Sequence, residues 1–244
     1  MNPLIVIPAR MASTRLPGKP LADIGGTPMI VRVWRQAMVA AMGPVVVAAA
    51  EREIAAAVSA AGGRCVLTAP ELASGTDRVH AAVCEIDPEG HHDVVVNLQG
   101  DLPTLDPAHI RAVLEPLAPT GADIATLAAE IEDEAEADNP AVVKPVIVWD
   151  ATGLRGRAIY FSRARVPYGE GPYYHHIGLY AFRRPALSRF VALPPSPLEQ
   201  REKLEQLRAL EAGMHIAIAR VDSVPLSVDT EADLAKVRTH FSRP

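Results

Sequence analysis

Apolar residues run without a break over positions 4–7, a stretch long enough for a buried parallel strand and too short for a buried helix. A strand therefore opens the chain. Beyond a polar loop, residues 28–42 place apolar side chains at Met29, Ile30, Val33, Trp34, Ala37, Met38 and Ala41. That spacing predicts a helix, with Pro28 suited to its first turn and Gly43 placed to end it. Residues 44–50 read as a second strand, 51–61 as an alanine-rich helix closed by Gly62 and Gly63, and 64–68 as a third strand. Residues 76–86 are again helical, and 93–98 form the most clearly buried strand of the chain. Alternating strands and helices predict a parallel sheet joined by right-handed crossovers.

From Asp123 the rhythm changes. Residues 124–129, 142–149, 158–161 and 173–182 read as strands, with an acidic surface helix over 130–139. Strands in succession predict a mixed sheet region added to the parallel core. Residues 194–197 then read as a linker, 198–212 as one helix ended by Gly213, 215–221 as a strand and 230–241 as a closing helix. The expected fold is α/β, with a mostly parallel central sheet flanked by helices. It forms one domain over 1–244, with 140–195 as a strand-rich excursion whose apolar ribbons suit a homodimer surface.

At 244 residues the chain is long enough for a proper core, and 49% of it is apolar. The net charge of −5 argues against a nucleic-acid surface. Cys65 and Cys84 lack metal-site spacing and fit a reducing compartment, where packing in the core is the expected role for both. No signal peptide is visible, and no stretch approaches the ~20 apolar residues needed to span a bilayer. These features predict a cytoplasmic protein without a membrane partner.

Against that acidic background the loop after the first strand stands out. It holds Pro8, Arg10, Ser13, Thr14, Arg15, Pro17, Gly18 and Lys19 at the carboxyl end of a strand, the edge where open α/β sheets take ligands. Arg10 and Arg15 offer forked donors, Lys19 a point charge, and Gly18 close backbone approach, a set suited to a polyphosphate. A solvated basic turn is the alternative. A Walker A loop is excluded by Ser13 and Pro20, and a dinucleotide fingerprint by the lack of GxGxxG.

Two further clusters carry chemistry. Gln99-Gly100-Asp101 follows the buried strand directly, so Asp101 is placed to hold a divalent ion against phosphates, or else to cap a turn. Ser74, Gly75, Thr76, Asp77 and Arg78 run from a loop into a helix, an anion or base site, or simply a helix cap. Asp229 precedes Thr230, which with Asp233 resembles a capping box and leaves Asp229 for another task.

The run PAR-x-x-STRLPGKPL over 8–21 resembles the signature of the CMP-Kdo synthetases, the 3-deoxy-manno-octulosonate cytidylyltransferases. The resemblance implies a Rossmann-like nucleotidyltransferase fold. It also implies transfer of CMP from CTP to the anomeric hydroxyl of 3-deoxy-D-manno-octulosonate, releasing pyrophosphate and giving CMP-Kdo for lipopolysaccharide synthesis. By that resemblance Asp101 and Asp229 hold Mg2+, and Arg10 and Lys19 are catalytic. Pro8, Ala9, Arg10, Arg15, Lys19, Ser74, Gly75, Arg78 and Gln99 meet the nucleotide, with Pro8 and Ala9 reading the cytosine edge. Gln99, Arg163 in YFSR, His176 in HIGLY, and Glu205 and Gln206 in LEQLR meet the sugar acid, whose binding falls to the excursion. An arginine fork also suits a carboxylate on physical grounds, while a lone strand histidine is otherwise structural. Leu204, Leu207 and Leu210 supply the apolar stripe of that helix, so 205 and 206 are expected off its centre. Leu102 stands where the family has glutamate in QGDEP. That departure keeps open a cytidylyltransferase for an amino analogue of Kdo or a nonulosonic acid. A CTP-binding relative without turnover is the alternative from another class.

Overall fold

The structure is a computed structural model that describes residues 1–13 and 15–242; Thr14, one of the loop hydroxyls, lies outside them. In chain order the first elements are β1 (Pro3–Ala9), a 3-10 turn (Lys19–Leu21), the short hairpin β2 (Asp23–Ile24) and β3 (Thr27–Pro28), and α1 (Met29–Ala40). Then come β4 (Val45–Ala49), α2 (Arg52–Ala60), β5 (Arg64–Leu67), α3 (Gly75–Ile86), β6 (Val94–Leu98) and α4 (Pro107–Ala112). They are followed by α5 (Leu117–Thr120), β7 (Ile124–Glu130), α6 (Glu134–Asp138), β8 (Lys144–Trp149), β9 (Arg155–Ser162) and β10 (Tyr174–Arg183). The chain continues through α7 (Arg184–Ala192), α8 (Pro197–Glu202), α9 (Gln206–Glu211), β11 (Ile216–Val221) and α10 (Glu231–Phe241).

These elements form two compact units, one of residues 1–110 and 225–244, the other of 111–224. The strand-rich excursion expected over 140–195 falls inside the second, which also takes in β7 and β11. In the first unit the strand order is β5-β4-β1-β6, all parallel. β4 and β5 are added on one side of β1 and β6 on the other, and all seven residues of β1 are buried. The carboxyl ends of β1 and β6 therefore form a topological switch point, where a crevice opens.

The second unit is mixed. β7 pairs antiparallel with β10 and parallel with β11, β11 pairs antiparallel with β9, and β9 with β8. The register of β7 and β10 slips between Ile177 and Ala181. Thr126 sits opposite that irregularity, with its hydroxyl oxygen 3.1 and 2.9 Å from the carbonyls of Ile177 and Leu179. Among the described residues no helix is long and apolar enough to cross a membrane.

Several expectations are corrected. The single helix expected over 198–212 is two, because Lys203 takes a left-handed conformation (φ 57°) and stops α8. Gln206 consequently begins a new helix and is buried rather than off the apolar stripe. Helix α7, beginning at Arg184-Pro185, lies where no helix was expected. Helix α1 ends at Ala40, before Gly43, with Ala41 left-handed. Cys84 is exposed on α3 and Cys65 half-buried, so neither is a core thiol.

Candidate active site

The first unit holds a cavity of about 370 Å3 at its switch point. Three stretches build it. From the end of β1 and the loop after it come Pro8, Ala9, Arg10, Arg15 and Lys19; from the start of α3 come Ser74, Gly75 and Arg78; from the end of β6 come Gln99 and Asp101. Asp229, from the far end of the chain, completes the wall. All eleven positions expected in this unit line one cavity. Ala12, Ser13, Pro20, Met29 and Gly100 line it too. Ser13, Pro20 and Gly100 stood in the singled-out motifs without a role; nothing in the sequence pointed to Met29.

Folding of the loop follows from its sequence. Gly18 adopts φ 71°, a left-handed turn open to glycine at little cost, and its N–H meets the Met11 carbonyl at 3.2 Å. Leu16 drops from the loop into an apolar cluster with Ile24, Met29, Val228, Leu234 and Val237. That cluster brings the loop to the segment carrying Asp229. The Val228 N–H donates to the Asp101 carbonyl at 3.0 Å, and Thr104 and Leu226 are joined by a 2.8 Å bond from the Leu226 N–H to the hydroxyl. The two acids thus meet because their backbones are tied side by side.

The Lys19 ammonium lies 2.8 Å from Asp101 Oδ2 and 3.2 Å from Asp229 Oδ1, partners 82 and 210 residues away. Burial pulls the Lys19 pKa down, but the two carboxylates more than compensate and hold it above the ordinary amine value. Arg15 Nη2 reaches Asp229 Oδ2 at 3.2 Å from an exposed position. Thr230 and Asp233 close a reciprocal cap on α10, so the carboxylate of Asp229 is left to these cations.

Helix α3 begins the same way: Ser74 and Asp77 form a capping box, so Ser74 does cap the helix. Arg78, only 2% exposed, donates to the Thr68 hydroxyl and to the carbonyls of Ala69 and Pro70. Burial lowers its pKa; Glu51 pulls the other way and Arg10 adds to the lowering. Gln99 Nε2 donates to Asn97 Oδ1, and Asn97 Nδ2 to the Thr76 hydroxyl, which fixes the amide at the end of β6. Gly100 is packed so closely that a Cβ there would stand 2.9 Å from the Pro8 carbonyl oxygen. Leu102 is buried and does not line the cavity.

The other four expected residues belong to the second unit. Arg163, just past β9, donates from Nε to the Glu202 carbonyl (2.9 Å), from Nη1 to Pro140 (3.0 Å) and from Nη2 to Lys203 (3.4 Å). His176 is buried on β10, edge-on to Phe161, with Nε2 3.0 Å from the Thr126 hydroxyl. Burial, with a smaller push from His175, lowers its pKa to about 3 and keeps it neutral. Glu205 ends the α8–α9 turn and Gln206 opens α9, 7% exposed.

A parallel sheet with a cationic loop, a capped helix start and two converging carboxylates at its switch point defines a nucleotidyltransferase, and the cytidylyltransferase family model matches residues 4–216. The chain belongs, within that class, to the family of the 3-deoxy-manno-octulosonate cytidylyltransferases. The relative of that name from Parvibaculum lavamentivorans is 69% identical, over 99% of this chain and 93% of its own length. The one from Rhodospirillum centenum is 65% identical, over 97% of this chain and 92% of its own. A solved CMP:2-keto-3-deoxy-manno-octonic acid synthetase complexed with CTP superposes with a TM-score of 0.91 at 38% identity, covering 99% of both chains.

Proposed function

We propose that the first unit binds the triphosphate and base of CTP at its switch point and that the residues set out below carry the transfer. The reaction is transfer of CMP from CTP to 3-deoxy-manno-octulosonate with release of pyrophosphate. A bond forms between the anomeric oxygen of the sugar and the α-phosphorus, the bond to the β-phosphate oxygen breaks, and the hydroxyl proton passes to solvent. Positioning and charge neutralisation suffice for such a step, and no covalent nucleophile is needed.

The observation that carries this reading is the meeting of Lys19, Asp101 and Asp229 in one cleft with Arg10, Arg15 and Arg78 around it. The two carboxylates reach a common nitrogen, and a hard divalent cation needs only one or two carboxylates beside phosphate oxygens and water. Among the described residues no third His, Cys, Asp or Glu joins them as a metal cluster, which leaves those further ligands to substrate and solvent. Asp101 and Asp229 would hold magnesium, which when bound would supply Lewis-acid charge to the reacting phosphate. Lys19 and Arg15 turn from the acids to the β- and γ-phosphates, Arg10 adds a second fork, and the Pro8 and Ala9 backbone reads the cytosine edge. In the second unit Arg163, His176, Glu205 and Gln206 are the residues for the sugar acid.

CTP is a cytoplasmic metabolite, so the reaction belongs in the cytoplasm. Exposed Val148, Leu154 and Ile159 on and between β8 and β9 support a homodimer in which that face is covered. Pyrophosphate release with CTP, magnesium and a panel of sugar acids tests the reading. Release with 3-deoxy-manno-octulosonate is expected; release with another acid alone, or CTP binding without release, overturns it.

A further inference from the structure

Glu202 closes α8 against the end of β9. Its carboxylate accepts the Ser162 hydroxyl at 2.8 Å, the Arg163 N–H at 3.0 Å and the Tyr160 hydroxyl at 3.4 Å, while its carbonyl accepts Arg163 Nε at 2.9 Å. One residue therefore grips Arg163 by both main chain and side chain. Burial pushes the Glu202 pKa up, but the bonds from Arg163, Ser162 and Tyr160 outweigh it and hold the group below the ordinary carboxylate range. The clamp is thus charged throughout neutral pH.

The clamp has two outputs. A guanidinium carries five N–H groups, and three of those on Arg163 are given to the Glu202, Pro140 and Lys203 carbonyls. The other two, one on each terminal nitrogen, meet no acceptor among the described residues, and two is the number that a planar carboxylate accepts from a fork. The second output is the turn itself. Lys203, next in sequence, is left-handed, and this break sets the direction in which Glu205 and the buried Gln206 leave α8.

We propose that Glu202 is a positioning residue for the sugar-acid half of the reaction, fixing at once the open edge of the Arg163 guanidinium and the course of the chain into Glu205 and Gln206. This rests on the assignment of those three residues to the acceptor given above. A misplacement of about 1 Å at a binding group costs up to ~100-fold, so loss of the clamp is large enough to read kinetically.

Glu202→Gln keeps the shape and sets an amide against the Arg163 N–H and the Ser162 hydroxyl. With each substrate varied in turn, this variant is expected to raise KM for the sugar acid ~10-fold while KM for CTP stays within about twofold. Ser162→Ala removes one partner of the carboxylate and is expected to move the same constant the same way by about threefold, which serves if the first variant does not fold. Equal changes in both KM values, or a lowered melting temperature with both unchanged, overturn the proposal. Arg163→Lys run alongside separates the two layers. If it raises KM for the sugar acid and Glu202→Gln does not, the positioning role fails and the acceptor assignment stands. If neither raises it, the assignment of Arg163 to the acceptor fails and this inference with it.

Discussion

A pair of cations in each unit is held by a different means. In the first, Lys19 and Arg15 rest on the carboxylates of Asp101 and Asp229. In the second, Lys144 and Arg163 rest on main-chain carbonyls: the fully buried Lys144 ammonium donates to Asn139 and Arg163 (2.9 and 2.7 Å) and to Val142 (2.7 Å). Burial lowers the Lys144 pKa, with the nearby Arg163 adding to the shift. A carboxylate partner carries a full charge and can be exchanged for a phosphate or shared with a metal ion. A carbonyl partner is part of the scaffold and cannot leave. The first arrangement suits a site that changes partners in each turnover, the second a shape built once on folding.

Breaking the exchangeable half should cost activity above all. Asp101→Ala is expected to lower pyrophosphate release ~1,000-fold, about 4 kcal/mol of transition-state stabilisation, with an unchanged circular dichroism spectrum. Near-normal turnover by that variant would remove the acid from the mechanism. The permanent half should instead cost stability. Lys144→Met takes the ammonium donor from the Val142 and Arg163 carbonyls, while the Asn139 carbonyl keeps the Val142 N–H, and is expected to lose roughly 3 kcal/mol by denaturant titration, against less than about 1 kcal/mol for Lys19→Met, whose partners are partly exposed. Equal losses from the two lysines would erase the contrast.

A smaller effect follows from His176. Its folded pKa is depressed to about 3. Below about 6.5 the unfolded chain takes up a proton that the folded chain refuses, so this residue makes stability fall as pH drops from 6.5 towards 3. Between pH 6.5 and 5 that amounts to about 2 kcal/mol at most, and His176→Asn should flatten the slope in denaturation midpoints measured across that range. The smallest effect is expected at the exposed end of the exchangeable set. Arg15→Ala should raise KM for CTP only ~3-fold, and the difference should shrink as salt rises, because the pair is open to screening.

The parallel half of the fold was legible because β1 and β4 are unbroken apolar runs, β6 is broken only by Asn97, and the helices between them have clear periods. The convergence of Asp101 and Asp229 was legible in part, since the Thr230–Asp233 cap frees one of them; the backbone tie between Asp101 and Val228 was not, being non-local. The turn at Lys203 escaped because a lysine in the left-handed region has no signature of its own, and the misplaced phase of Gln206 followed from it. The role of Lys144 escaped because what it binds is main chain, which any sequence supplies, and that of Glu202 because its partners Tyr160, Ser162 and Arg163 lie 42, 40 and 39 residues away in the chain.

Gly100 sets a tolerance for all of this. Because the strand ends carrying Pro8 and Asp101 already touch through that residue, even one added methyl must pry them apart and carry the acidic wall away from the cationic loop. The gauge of the catalytic crevice is therefore kept by an atom that is not there, and alanine, the mildest of substitutions elsewhere, should be among the least forgiving at this position.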